Sequence, residues 1–585
     1  MFRLLKYLKK YKWQAFFGPF FKIAEAALEL AVPLVMADII DNGIPTGDAS
    51  IVLQKGLMLV ILSTVGYACS LTCQYFASVT SQGTGTEIRN ALFAHIQSLS
   101  HKEIDRIGTP SLMTRITSDI NNVERAIAMT IRMASRAPFL VIGSTILAIR
   151  INFQLSIIFI IASIFIALSI YYIITRTMPA FKKVQKMLDR LSLITRENLE
   201  GVRVIRSVSN QDYEKARFED AAVKQRDLAL KAGKLNALLN PITILIVNIA
   251  VILIIYQGGI KIDSGIMSQG EIIAFISYMT TILNALIAFS NTLVIINKGN
   301  ASAKRINEVF DIKASVVENP KAMVTVESDY RIEFDDVDFT YDSSKDAFLH
   351  NINLKIKPNQ TIGVIGVTGA GKSTLIQMIS RFYDVTKGSV KIDGVDVKDY
   401  AFNILRKKVS VVPQQVSLFS GTLRKNMQWG KNDATDEEIY RALEIAQARD
   451  FVDQLPEGLD TMIYQGGKNL SGGQRQRLSI ARAMVGNPEI LIMDDSASAL
   501  DFATDAALRK AIYKNMKNTT VIIVSQRVNT VRNADLIIVL DEGQIVGKGT
   551  HLSLLKDCEI YEEICNSQLS SKELENAYTT IETTA

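Results

Sequence analysis

The residues with the clearest chemistry stand in TIGVIGVTGAGKST, where an apolar run, Thr361–Ile365, feeds Gly366-Val367-Thr368-Gly369-Ala370-Gly371-Lys372-Ser373-Thr374. This matches GxxxxGK[ST] between a strand-like and a helix-like segment, the context in which the pattern is specific. Such a loop holds phosphate. Glycines let backbone N–H groups turn inward, the following helix N-terminus favours negative charge, Lys372 reaches the terminal phosphate oxygens, and Ser373 offers a hydroxyl to magnesium. A second piece, PEILIMDDSASALD, contains the apolar run Ile490–Met493, which predicts a buried parallel strand ending at Asp494. A carboxylate at that edge of a sheet sits where a magnesium shell needs one. The plainer reading, an aspartate that starts a turn, loses weight once the upstream loop is granted.

Between these pieces lies Leu470-Ser471-Gly472-Gly473-Gln474, opening the helical stretch RQRLSIARAM. In this order the motifs resemble those of the ATP-binding-cassette (ABC) family, whose signature is LSGGQ. The resemblance implies an α/β P-loop nucleotide-binding domain of ABC type that uses ATP and Mg2+. Tyr341, in VDFTYD, matches the aromatic that stacks on adenine, although by itself it reads as a strand aromatic. Gln414, in VVPQQVSLFSGT, matches the glutamine that reaches magnesium with Ser373 and Asp494, and Gln415 beside it stays open as an alternative. Ser498 and Asp501 match the loop that crosses between two cassettes. Leu470–Gln474 would clamp the γ-phosphate held by another subunit, so one chain supplies only half of each ATP site.

Three positions depart from the family pattern. The general-base glutamate after the magnesium aspartate is here Asp495, one methylene shorter, so its carboxylate should fall short of the attacking water by about 1 Å, a misplacement that can cost roughly 100-fold. The switch histidine is replaced by Gln526, which can hydrogen-bond a phosphate but carries no charge. Gln465 stands where exporters usually have glutamate. Loss of base and histidine beside an intact signature resembles the degenerate-site chain of a heterodimeric exporter. A second, non-identical half-transporter would then supply the competent phosphate loop, and a slow homodimer is the alternative.

The elements outside the cassette are of another kind. The 585 residues are 48% hydrophobic and 21% charged, with a net charge of +6 and a mean hydropathy of +0.17, which excludes a disordered chain and the basic footprint of a nucleic-acid binder. Uncharged runs at Gly56–Thr86, Ile151–Thr175, Leu235–Ile260 and Ile272–Asn297 are each long enough to cross a bilayer as a helix. Two weaker ones, Trp13–Ala37 and Ala137–Ile149, complete six spans. Lys and Arg collect at the N-terminus and in Glu87–Arg136 and Arg176–Lys234, which predicts those segments in the cytoplasm. The expected architecture is an α-helical membrane domain of six transmembrane helices with long cytoplasmic extensions, plus the α/β cassette, in a bacterial cell membrane.

The expected boundaries are residues 1–12 as a basic elbow, 13–310 as the membrane domain, 311–329 as a linker, 330–567 as the cassette and 568–585 as a tail. Glycines breaking helical patterns mark turns near 105–119 and 197–214, which by the resemblance are coupling segments. No removable signal peptide is expected, and the length suits half a transporter. The four cysteines have no metal or CxxC spacing and read as packing residues. Glu25 and Glu29, four apart near Lys22, are candidates for a substrate cavity because ionisable groups in a membrane are expensive, and inter-helix pairing is the plainer alternative. The substrate class implied is hydrophobic drugs or lipid-like amphiphiles, with peptides as an alternative, membrane lipids as surroundings and no nucleic acid. A non-transporting, ATP-gated membrane regulator is the competing class.

Overall fold

The computed structural model describes residues 2–319, 328–341, 347–496, 499–570 and 574. The expected linker therefore lies partly outside the described residues, and so does most of the expected tail. The chain divides into two compact units, Met1–Gln97 with Ile107–Ile312, and Ser98–Arg106 with Lys313–Ala585.

The first unit is helical. A short helix, Phe2–Tyr11, carries the basic N-terminal residues and leads into α1 (Lys12–Asp38), which is followed by α2 (Ala49–Ser98). After α3 (His101–Ile107) come α4 (Thr109–Ile151), α5 (Phe153–Glu200), α6 (Val202–Ser207), α7 (Gln211–Asp263) and α8 (Gln269–Phe310). Among the described residues, five helices (α2, α4, α5, α7 and α8) are long and apolar enough to cross a membrane. The expected sixth, α1, has 27 residues but carries Lys22, Glu25 and Glu29.

Large apolar side chains face outward along these helices, among them Val60, Phe165, Ile252 and Tyr256, each more than half exposed. Water would not tolerate such rows, whereas lipid does, and a helix pairs its backbone groups within itself as lipid requires. Inward, small residues bring the helices close. A Cβ on Gly270 would lie 2.3 Å from the Ala37 carbonyl oxygen, and one on Gly299 would lie 2.3 Å from the Ala126 methyl. Asp41 accepts hydrogen bonds from the Ser268 hydroxyl and the Gly270 N–H, tying the end of α1 to the start of α8. The Tyr278 hydroxyl donates to the Leu30 carbonyl at 2.9 Å.

The segment that belongs to the second unit is Ser98–Arg106, mostly upstream of the expected 105–119. There the His101 ring stacks on Phe382 at 4.4 Å, and Asp105 accepts from the Tyr383 hydroxyl at 3.0 Å. Gly108, with φ of 80°, supplies the break that the sequence pattern showed, just after the segment grouped with the second unit. The second turn holds α6, inside the expected 197–214, with no buried residue.

The second unit is built on two large sheets and a two-stranded pair, Gly421–Thr422 with Met462–Ile463. The strands of the large sheets are β1 (Ile332–Phe339), β2 (Leu349–Ile356), β3 (Thr361–Ile365), β4 (Lys387–Ile392), β5 (Val395–Asp396), β6 (Val409–Val412), β7 (Ile490–Asp494), β8 (Thr520–Val524), β9 (Leu536–Asp541) and β10 (Gln544–Gly549). One sheet runs β2-β1-β4-β5 and the other β10-β9-β3-β8-β7-β6. Pairing from β9 through β6 is parallel. Their near-continuous Val/Ile/Leu composition, buried on both faces, is what a covered parallel sheet requires. Because β8 lies between β3 and β7, Val524 is in register with both Val364 and Asp494.

In the first unit, Arg305 makes a two-pronged contact with Asp119, which is 2% exposed. Arg305→Ala leaves that carboxylate without its main partner, an expected loss of about 1–3 kcal/mol. A lower melting temperature of the purified protein, partly recovered in Arg305→Lys, would be the sign.

Candidate nucleotide site

The loop leaving β3 is shaped by its glycines. A Cβ on Gly366 would lie 2.1 Å from the Leu540 carbonyl oxygen, and Gly371 has φ of 100°, with Leu349 2.6 Å from where a Cβ would stand. An L side chain is excluded at both. The turn delivers the chain into α9 (Lys372–Ile379). Lys372 folds back, and its ammonium donates to the carbonyls of Gly366 and Val367 at 2.8 Å each. Burial lowers its pKa below that of an ordinary lysine, opposed by the nearby Asp495 and Asp494.

From the far side of β8, Asp494 reaches the same place: the Ser373 hydroxyl donates to its Oδ1 at 3.2 Å. Burial, with the neighbouring Asp495, raises the Asp494 pKa against the pull of Ser373 and Lys372. Asp495 adopts φ of 43°, a left-handed conformation that aspartate tolerates better than most residues. Burial raises its pKa too, opposed by Arg527, Lys372 and a hydrogen bond from Gln414.

Thr368, Gly369, Gly371, Lys372, Ser373, Thr374, Gln414, Asp494, Asp495 and Gln526 line one cavity of about 180 Å³. Sequence reasoning missed Phe348, Val524 and Ser525 on its walls. Gly366, Val367 and Ala370 form the loop without lining the cavity, and of the two adjacent glutamines only Gln414 does so. Tyr341 stands to one side, its hydroxyl 3.1 Å from that of Thr374 and its ring against Phe348 and Tyr383. The donor set of Ser373, Gln414 and Asp494 is one of hard oxygens in a cleft with buried negative charge, which fits magnesium. When bound, that ion would neutralise phosphate charge.

The signature residues are not on this cavity. Ser471 and Gln474 form a reciprocal cap on α10 (Gly472–Met484), with the Gln474 N–H donating to the Ser471 hydroxyl and the Ser471 N–H to the Gln474 side chain. Leu470 is buried beneath it, and a Cβ on Gly472 would meet open space. Asp501 caps α11 (Phe502–Asn515), accepting from the Thr504 N–H at 2.9 Å and hydroxyl at 2.7 Å. These bonds hold its carboxyl below the usual range. Ser498 lies outside the described residues. Gln526 is held from an unexpected quarter, because Gln568 donates to its carbonyl at 2.8 Å and accepts from the Val528 N–H at 2.9 Å.

Both membrane acids have charged partners. Lys22 bonds Glu25 at 2.6 Å within α1, and Arg136 of α4 bonds Glu29 at 2.6 Å. Glu29 lines a cavity, and Glu25 does not contribute to it.

Comparison with known proteins agrees with this geometry. Residues 15–286 match the ABC transporter transmembrane region, and residues 349–498 match the ABC transporter domain. An uncharacterized ABC transporter ATP-binding protein of Mycobacterium tuberculosis (strain CDC 1551 / Oshkosh) is 36% identical, over 94% of each chain. An ATP-dependent lipid A-core flippase of Desulfotalea psychrophila (strain LSv54 / DSM 12343) is 32% identical, over 97% of this chain and 99% of its own. The structure of a bacterial Atm1-family ABC exporter with ATP bound shares the fold with a TM-score of 0.79, covering 96% of this chain and 99% of that one at 24% identity. The chain belongs to the ABC transporter family, as a multi-pass membrane chain that carries its membrane domain and its cytoplasmic ATPase domain together.

Two outcomes follow for nucleotide binding. Lys372→Ala removes the loop's one cation facing phosphate and should weaken binding of a fluorescent ATP analogue by about tenfold or more, with unchanged circular dichroism. Because the Asp494 pKa is raised, its ionised form is lost at a higher pH than for an ordinary carboxylate as the medium is acidified. Magnesium-dependent binding should fade early on the acid side, and excess magnesium, competing with the proton, should restore it.

Proposed function

We propose that this chain is one subunit of an ATP-driven heterodimeric exporter of hydrophobic drugs or lipid-like amphiphiles, and that its own phosphate loop builds the slow ATP site. The observation that carries this is the joint presence of Asp495 and Gln526 on the cavity that holds Lys372, Ser373 and Asp494. Aspartate reaches less far than glutamate, and its carboxyl is easier to protonate here than an ordinary one. Gln526 hydrogen-bonds a phosphate without offering it a positive charge. Both losses slow hydrolysis and leave binding intact.

The partner reading gains support from the capped signature. Its Ser471 and Gln474 are pre-ordered yet stand off the chain's own cavity, as a clamp for a nucleotide held elsewhere must. In this scheme Leu470–Gln474 completes the competent site, whose phosphate loop, glutamate and histidine come from a second, non-identical ABC chain. Closure of the two cassettes on ATP would open the membrane cavity outward, and hydrolysis at the competent site would reset it.

Co-purification with that second ABC chain allows a direct comparison of ATPase rates and dye transport in inside-out vesicles. Glutamate→glutamine at the partner's base position should remove nearly all activity, whereas Asp495→Asn in this chain should change it less than about tenfold. Robust ATPase from this chain alone, abolished by Asp495→Asn, would establish a homodimer instead.

A further inference from the structure

Six polar residues of the first unit line one cavity of about 380 Å³, within the size range of small-molecule sites, roughly 300–1,000 Å³. Glu29 of α1 and Arg136 of α4 face Ser277, Thr280, Thr281 and Asn284 of α8 across it, over an apolar floor that includes Leu140 and Ile276. The four α8 residues fall on one face of that helix. Ser277, Thr280 and Thr281 each donate to a carbonyl one turn back in α8, which leaves their hydroxyl lone pairs free to accept. The exposed Asn284 amide both donates and accepts.

These groups lie deep. Asp38, Ile151 and Gln269 end their helices on the side away from the cytoplasm, and Glu29, Arg136 and Thr280 stand about 14–22 Å in from those ends at about 1.5 Å per residue. Measured from those ends, they fall within a hydrocarbon core of about 30 Å, so Arg136, expected at the end of a cytoplasmic segment, stands on the membrane-crossing part of α4. Ionisable side chains at such depth are costly and serve a purpose beyond packing. Arg136 retains more donor capacity than its partner uses: one of its terminal nitrogens bonds Glu29, and its buried Nε has no hydrogen-bond partner.

We propose that this cavity binds the headgroup of a zwitterionic amphiphile, with an ammonium against Glu29 and an anionic oxygen against Arg136 and the α8 hydroxyls. A purely cationic head gains Glu29 but must lie beside Arg136, and a purely anionic head gains Arg136 but must lie beside Glu29. In a poorly screened site, either like-charge approach is costly. A head carrying both charges replaces the 2.6 Å pair with two new ones, and its tail lies along the apolar floor. As a substrate site the cavity depends on the exporter reading, but as a binding site it does not, so binding without ATP separates the two.

The test uses the full chain in nanodiscs and three single-chain probes that share one fluorescent tail and carry phosphoethanolamine, ammonium or phosphate heads. The phosphoethanolamine probe should bind at least about tenfold more tightly than the other two. Glu29→Gln should turn the preference to phosphate, Arg136→Gln should turn it to ammonium, and the charge swap Glu29→Arg with Arg136→Glu should restore the original order. An order of affinities that neither single substitution changes overturns the proposal. If those variants fail to fold, Thr280→Val with Asn284→Leu, remote from the ion pair, should weaken phosphoethanolamine binding about tenfold, and no change overturns it. A two-chain phosphoethanolamine lipid distinguishes the source of the head: binding equal to that of the single-chain probe upholds the site with a membrane lipid as ligand, and binding of the single-chain probe alone upholds it with a smaller amphiphile.

Discussion

The cassette depends on one hydrogen bond between distant parts of the chain, from the Ser373 hydroxyl to the Asp494 carboxylate. It exists because β8 lies between β3 and β7 in parallel register, which brings the phosphate loop and the magnesium carboxylate to the same edge of one sheet. Everything else on the cavity is arranged around that edge. Lys372 curls over the loop carbonyls, Gln414 comes from the segment after β6, and Gln526 from the segment after β8. A slip of one residue in β7 would turn Asp494 to the opposite face and separate it from Ser373.

The two units satisfy opposite solvents by related means. In the cassette, apolar strands are hidden on both faces and carboxylates emerge only at the sheet edge. In the helical unit, apolar side chains face outward, and three charged pairs stand among the helices: Lys22 with Glu25, Arg136 with Glu29, Arg305 with Asp119. Pairing makes charge tolerable there, and the spare donor capacity of Arg136 makes one such pair useful.

The phosphate site was largely legible in the sequence, because its chemistry demands particular residue types at contiguous positions, as in Gly366–Thr374, or at the end of a readable strand, as with Asp494. Phe348 and Ser525 were not legible, since only the fold of strands far apart in sequence puts them on the wall. The spacing of Glu25 and Glu29 showed a shared helical neighbourhood but not what neutralises it, because Arg136 belongs to another helix. The grouping of Ser98–Arg106 with the cassette was not legible for a similar reason. Gly108 marks a break, whereas the stacking of His101 on Phe382 depends on a residue from the cassette.

Gln568 stands near the end of the last described helix and grips the backbone on both sides of Arg527, through the Gln526 carbonyl and the Val528 N–H. The wall of the phosphate cavity is thereby fastened to the helix Glu559–Gln568. Two hydrogen bonds from one side chain of that helix steady the segment after β8 on which Gln526 stands.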